Sequence, residues 1–162
     1  GNVTLNPGVY CGWFNFNNAP TVTFQPGVYV IKNGGWNVNG GTWRGDGVTF
    51  YYADTSRIQF NSAVDVTFTP PASGTYANIM MFEAPNLSRS QFVFNDAKDM
   101  KMDGLIYLPS RDVTFNSGSK LAAKSFTLVI NTLILNQTNW TLAPSKSSIS
   151  SDDGNKSARL VR

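Results

Sequence analysis

The chain contains no histidine. That absence removes Ser-His-Asp and Cys-His chemistry and the commonest metal ligand. It contains one cysteine, Cys11, so no disulfide can form within the chain. Charged residues are only 14% of the sequence. No run of 18 apolar residues occurs, so no membrane-spanning segment is expected in this body. No secretory leader is visible. The chain starts at Gly1 rather than Met, and an upstream anchor or signal is expected to have been removed. No stretch has a convincing 3.6-residue period, so almost no helix is expected.

The few charges are nearly balanced. Residues 1–144 hold nine Lys/Arg against eight Asp/Glu, and residues 145–162 hold four against two. A near-neutral body lacks the clustered basic stripe of a nucleic-acid-binding face. The length of 162 residues suits one domain with a real core. Abundant Asn, Gly, Thr and Phe suit an all-β protein.

What is present is a recurring signature of apolar residue, Asn, any residue, small residue. It occurs as Phe16-Asn17-Asn18-Ala19, Val38-Asn39-Gly40-Gly41, Phe60-Asn61-Ser62-Ala63, Phe94-Asn95-Asp96-Ala97 and Phe115-Asn116-Ser117-Gly118. A weaker copy is Leu135-Asn136-Gln137-Thr138. The Asn positions 17, 39, 61, 95, 116 and 136 are spaced by 22, 22, 34, 21 and 20 residues. The chain has 17 Asn, so chance could supply two or three matches, but not six in such even spacing. A period in the twenties marks a solenoid in which each repeat is one turn. Asn tolerates the left-handed backbone of a sharp corner. Stacked turns would set Asn17, Asn39, Asn61, Asn95, Asn116 and Asn136 above one another as a hydrogen-bonded amide ladder.

Short strand-like runs flank each corner. Gly27–Ile31, Val48–Tyr52, Ile79–Phe82, Leu105–Leu108 and Phe126–Ile130 precede a second run ending at the Asn. A third run follows most corners, as in Thr21–Phe24, Asp65–Phe68 and Asp99–Met102. In Asp99-Met100-Lys101-Met102-Asp103 the two Met fall on one face and the charges on the other, which is period two with one buried side. The expected fold is therefore a single-domain, right-handed parallel β-helix of about six three-strand turns over residues 1–144, the winding sense following the parallel-crossover rule. A β-sandwich also predicts frequent polar turns, but it leaves the Asn register unexplained.

The interval from Asn61 to Asn95 is about 12 residues too long for one turn. The excess lies in 70–77 and 83–90, whose Pro, Gly and Ser content indicates two loops projecting from adjacent corners. Residues 145–162 form a Ser-rich stretch expected to be flexible, with Ala158–Arg162 as a last capping strand. Asn2–Leu5 is the corresponding candidate cap at the other end, because open edges invite pairing with other chains.

Several phrases also carry a family likeness. Leu5-Asn6-Pro7-Gly8-Val9-Tyr10-Cys11-Gly12 and Phe24-Gln25-Pro26-Gly27-Val28-Tyr29-Val30-Ile31 form a pair. Trp36–Gly41, Gly45–Tyr51, Ala72–Phe82 and Gly104–Ser110 follow in order. The series, over about residues 5–142, resembles the C-terminal region of the TadG-like proteins of bacterial tight-adherence (Flp-type) pilus systems. The resemblance implies a bacterial cell-surface or envelope protein concerned with pilus assembly and adhesion, without enzymatic activity or cofactor. It implies partners in the pilus or envelope assembly, and an upstream membrane-anchoring segment. Many such proteins carry a second Cys downstream of the Tyr-Cys-Gly phrase. Here Ser119–Phe126 has none, which leaves Cys11 either small and buried or a free thiol.

Glycoside hydrolysis needs two facing carboxylates, for which Asp46, Asp65, Asp96, Asp99, Asp103 and Asp112 are available. Asp65 and Asp99 would stack on neighbouring turns, and Arg57 or Arg111 could supply the base of a lyase. Lys98 and Lys101 nearby favour solvated surface pairing, so no catalytic or metal residue is assigned. The aromatics Trp13, Trp36, Trp43 and Trp140, with Tyr29, Tyr51 and Tyr52, are numerous for a narrow core. Outward rings in register would stack on sugars, making surface glycans the alternative partner. Trp36, Trp43, Tyr51, Tyr76 and Arg89 are the residues nominated for a ligand or partner surface.

Overall fold

Residues 1–144 are those the computed structural model describes; 145–162, including the expected tail and capping strand, lie outside the described residues. Their twelve strands are β1 (Asn2–Leu5), β2 (Gly8–Phe16), β3 (Thr21–Phe24), β4 (Gly27–Gly45), β5 (Val48–Tyr52) and β6 (Arg57–Phe68), then β7 (Ile79–Glu83), β8 (Ser90–Asn95), β9 (Asp99–Met102), β10 (Gly104–Asn116), β11 (Lys120–Leu135) and β12 (Asn139–Pro144). Among the described residues there is no helix, and the chain winds as a parallel β-solenoid of about seven turns, against about six expected.

Each turn passes through three faces. The first face stacks β1, β3, the ends of β4 and β6, β9, the start of β11, and β12. The second stacks the starts of β2 and β4, then β5, β7, the start of β10 and the middle of β11. The third stacks the end of β2, the middle of β4, the start of β6, β8, and the ends of β10 and β11. Long strands such as the 19-residue β4 bend round the corners without breaking. Asn2–Leu5 forms a terminal strand, as expected: β1 is the first strand of the first face and covers the edge of β3 in register.

Alternation fills the interior as expected. Val22, Trp43, Val66, Met100 and Leu121 form one buried row of the first face. On the third face Phe60, Phe94 and Phe115 stack nearly parallel, with centroids 5.4 and 4.4 Å apart. Edge-to-face contacts fill the wider lower turns, where Phe24 meets Tyr29, Phe50 and Phe68 at 5.1–5.5 Å. The repeated Pro-Gly-x-Tyr phrase has a local cause. The hydroxyls of Tyr10 and Tyr29 each donate to the carbonyl four residues back, on Asn6 and Gln25, at 2.7 Å. Tyr29 also donates to the Leu5 carbonyl of the turn below, at 2.9 Å, tying two corners together.

The Asn ladder is present in its lower half. Asn39 Nδ2 donates to Asn17 Oδ1 at 2.7 Å, and Asn61 Nδ2 to Asn39 Oδ1 at 3.1 Å. Across the long third interval, Asn95 Nδ2 reaches only the Asn61 backbone carbonyl, at 3.3 Å. Asn116 Oδ1 is buried with no partner, and Asn136 is held through its backbone N–H to the Phe115 carbonyl. The ladder Asn does not itself take the left-handed conformation expected of it. At five of the six corners the residue after it does, at Asn18, Gly40, Asp96, Ser117 and Gln137; Ser62, after Asn61, does not. The ladder Asn therefore serves through its amide, and its follower makes the corner. A second ladder, Asn37 Nδ2 to Asn15 Oδ1 at 2.9 Å, runs beside the first.

Gly41 shows how tight the corners are. Its φ is +105°, and a Cβ there would lie 2.2 Å from the Pro20 carbonyl oxygen of the turn below. Gly12 has a similar φ of +100° but open space around it. Gly41→Ala is expected to cost roughly 2–3 kcal/mol or more, from strain plus clash, and Gly12→Ala only about 1 kcal/mol, from strain alone. Denaturant midpoints of the two variants measure the difference; equal midpoints would contradict the close approach.

Candidate functional site

The outer side of the second face is apolar. Val9, Val30, Tyr51, Phe82, Tyr107 and Val129 lie in register up the solenoid, one per turn. Beside them run Val28 and Thr49, then Leu105 and Thr127. No charged residue occurs in either row. Val9, Tyr107 and Val129 are 63, 43 and 37% exposed, well above what a buried row shows. Tyr51 and Phe82 pack tilted with centroids 4.5 Å apart, and Tyr76 stacks on Phe82 at 5.5 Å.

The two expected loops wall this stripe. Segment 69–78 joins β6 to β7, and 84–89 joins β7 to β8. The first, with Pro71, Ser73, Thr75 and Tyr76, borders a hollow of about 380 Å³ over Pro26, Gly27 and Val28. The second, with Pro85, Asn86 and Leu87, borders one of about 450 Å³ against Tyr107, Pro109 and Ser110. The insertions thus turn a flat sheet face into a trough with an aromatic floor.

The nominated surface residues divide. Tyr51 and Tyr76 meet through Phe82 in the trough. Arg89 stands at the end of the second loop but turns to the third face, where its Nε donates to Asp112 Oδ2 at 2.6 Å. Trp36 and Trp43 are not at the surface: both are wholly buried. Parity is the reason. Trp43 shares a row with Val22 and Val66, and Trp36 shares one with Ile58. Tyr29 and Tyr52 are likewise core residues. Sequence reading missed Phe82, Tyr107, Val9 and Val129. The signal was there: second-face strands such as Val28–Ile31 and Leu105–Leu108 are apolar at both parities, so they are apolar on both sides.

A buried ion pair anchors the trough. Glu83, at the end of β7, occupies an inward position in register with Tyr52. Its Oε2 lies 2.8 Å from Arg111 Nε, with both side chains at most 1% exposed. Glu83 Oε1 accepts from the Ser110 N–H at 2.6 Å. Three of the remaining guanidinium N–H groups donate to the carbonyls of Asp54, Thr55 and Ser56 at 2.8–3.1 Å. Its face lies over Tyr52 and Phe92. Buried, ion-paired and with four of its five N–H groups engaged, Arg111 is not placed to act as the base considered for a lyase. It ties the 54–56 corner to the turns above.

The carboxylates are dispersed and mostly engaged. Asp46 accepts from Thr69, Asp96 from the Ala63 N–H, and Asp103 from the Lys124 and Ser125 N–H groups. Asp65 and Asp99 do stand in register on the first face, with Asp99 3.4 Å from Lys101 Nζ. Asp54 accepts from Ser56 and from the Asn33 N–H. Burial pushes its carboxyl up, but these hydrogen bonds and the Arg111 charge outweigh it and leave it below the usual range. Asp112 is held down to about 2 by Arg89, with Thr132 and Asn131 also donating. Among the described residues no group of three His, Cys, Asp or Glu is placed to hold a metal. Cys11 is an exposed free thiol, accepting from Asn33 Nδ2 at 3.3 Å.

No protein family, no characterised protein and no solved structure matches the chain.

Two outcomes follow. Arg111→Met alone leaves Glu83 buried without its partner and should cost about 3–5 kcal/mol. The double variant Glu83→Leu with Arg111→Met should recover much of that, because no lone charge remains. A double variant as unstable as the single would refute the pairing. Asp112 is depressed below the ~3.9 of a free aspartate. Its contribution is therefore fully present above about pH 4 and lost as pH falls towards 2. Asp112→Asn should flatten the stability–pH curve in that window, and an unchanged slope in urea titrations would count against it.

Proposed function

We propose that this chain is a non-enzymatic structural and adhesive domain of a bacterial cell surface, associated with assembly of a tight-adherence pilus. One observation carries the reading. A charge-free stripe of six outward apolar residues, walled by two loops, runs the height of the second face. Apolar patches of this continuity mark protein-contact surfaces. Tyr51 and Phe82 pack against each other at 4.5 Å with their planes tilted by 34°, which covers part of the ring faces that a sugar would need. That favours an apolar protein partner in the trough. The ordered sequence phrases shared with TadG-like proteins supply the setting, an envelope protein working with pilus components.

The test is competition. Added purified chain should block pilus-dependent attachment of bacteria that carry this protein. Tyr51→Lys with Tyr107→Lys should need about tenfold more chain for the same effect. Both proteins would also be incubated with bacterial and host polysaccharides and assayed for released reducing ends. Equal competition by the two proteins would rule out the stripe as the docking surface, and product release would overturn the non-enzymatic reading.

A further inference from the structure

Away from the trough, the outer third face brings an exposed aromatic and a cation together. On the outer third face, Trp13 and Asn15 of the first turn stand in register with Gly35 and Asn37 of the second, and these with Arg57 and Gln59 of the third. Gly35 contributes no side chain, and a Cβ there would lie 2.0 Å from the Arg57 carbonyl oxygen, so no side chain stands between Trp13 and Arg57 in the row. Trp13 remains 49% exposed, and the Arg57 guanidinium carbon lies 5.5 Å from its ring centroid. Arg57 Nη2 donates to Gln59 Oε1 at 3.4 Å. Among the described residues Arg57 makes no ion pair with a carboxylate. Asp54 is engaged with Asn33 and Ser56, and Asp112 with Arg89. Amide groups surround the pair, with Asn15 and Asn37 hydrogen-bonded to each other and Asn17, Asn39 and Asn61 along the adjoining corner.

We propose that this patch binds a carboxylate-bearing sugar, of the uronic acid class, within an acidic glycan. The indole offers an apolar platform for the C–H face of a pyranose ring. The guanidinium fork offers paired donors to the carboxylate. Side-chain amides, each donor and acceptor, match sugar hydroxyls. A nucleic acid does not fit, because one cation on an otherwise neutral face gives no track of phosphate contacts. The site is separate from the apolar trough, so it does not rest on the reading given above.

The experiment titrates the full chain with a short oligogalacturonate and with the same oligosaccharide methyl-esterified, following binding by calorimetry. The acid form should bind saturably, and esterification should weaken it about tenfold. Arg57→Gln should lose about the same factor for the acid form while leaving the ester unchanged. Trp13→Ala should weaken both forms. Lys120→Gln, on the first face, should change neither. Thermal melting checks that each variant folds; if Trp13→Ala does not, the contrast between acid and ester in Arg57→Gln decides alone. Absence of saturable binding, Arg57→Gln affinity equal to the parent, or equal competition by inorganic polyphosphate would each overturn the proposal.

Discussion

Parallel stacking at about 4.8 Å per turn is the constraint from which the rest follows. In that geometry each side chain lies directly on its counterpart in the next turn, so a residue type is acceptable only if it tolerates its own neighbours. Phe over Phe over Phe works, as at Phe60, Phe94 and Phe115. Asn over Asn works, because an amide is both donor and acceptor. Like charges in register do not, which is why the acids are so often diverted to backbone N–H groups at corners. Asp65 over Asp99 is the exception, and Lys101 stands beside it.

The fourth turn departs from this regularity and is where the molecule acquires a surface of its own. Its two loops lengthen the repeat from 22 to 34 residues. The same departure interrupts the amide ladder between Asn61 and Asn95. Glu83 and Arg111 bridge the irregular turn from inside, where a row of apolar contacts would otherwise run. A buried pair of this kind gives little net stability. Its value here is positional, since Arg111 reads three carbonyls of one corner and fixes where the second loop begins. The trough is thus framed by polar chemistry under an apolar floor.

Much of the core was legible from parity alone. Met100 and Met102 point inward, and Asp99 and Lys101 outward, as the alternation requires. Trp36 and Trp43 obey the same rule, and Trp43 between Thr42 and Arg44 carried a clear signal. The expectation that a narrow core could not hold so many rings overrode it. The core of the lower turns accommodates them because rings gather round Phe24, with Trp36 stacked on it, Trp43 tilted against it, and Tyr29 and Phe50 edge to face. The trough was half legible. Its loops were plain in composition and Tyr51 and Tyr76 were in view, but Phe82 and Tyr107 sat in strands apolar at both parities, where alternation cannot say which side is wet.

The sequence by itself determined the repeat, the three-strand turn, the corner positions and the sign of every alternating strand. These depend on contacts between equivalent residues about one turn apart, which spacing records. Only the tertiary structure decided that Arg111 is buried against Glu83 and that Arg89 turns to Asp112. Each joins residues that no periodic rule makes equivalent. Their proximity depends on how corners bend and where loops fall, and those are properties of the assembled coil rather than of any single turn.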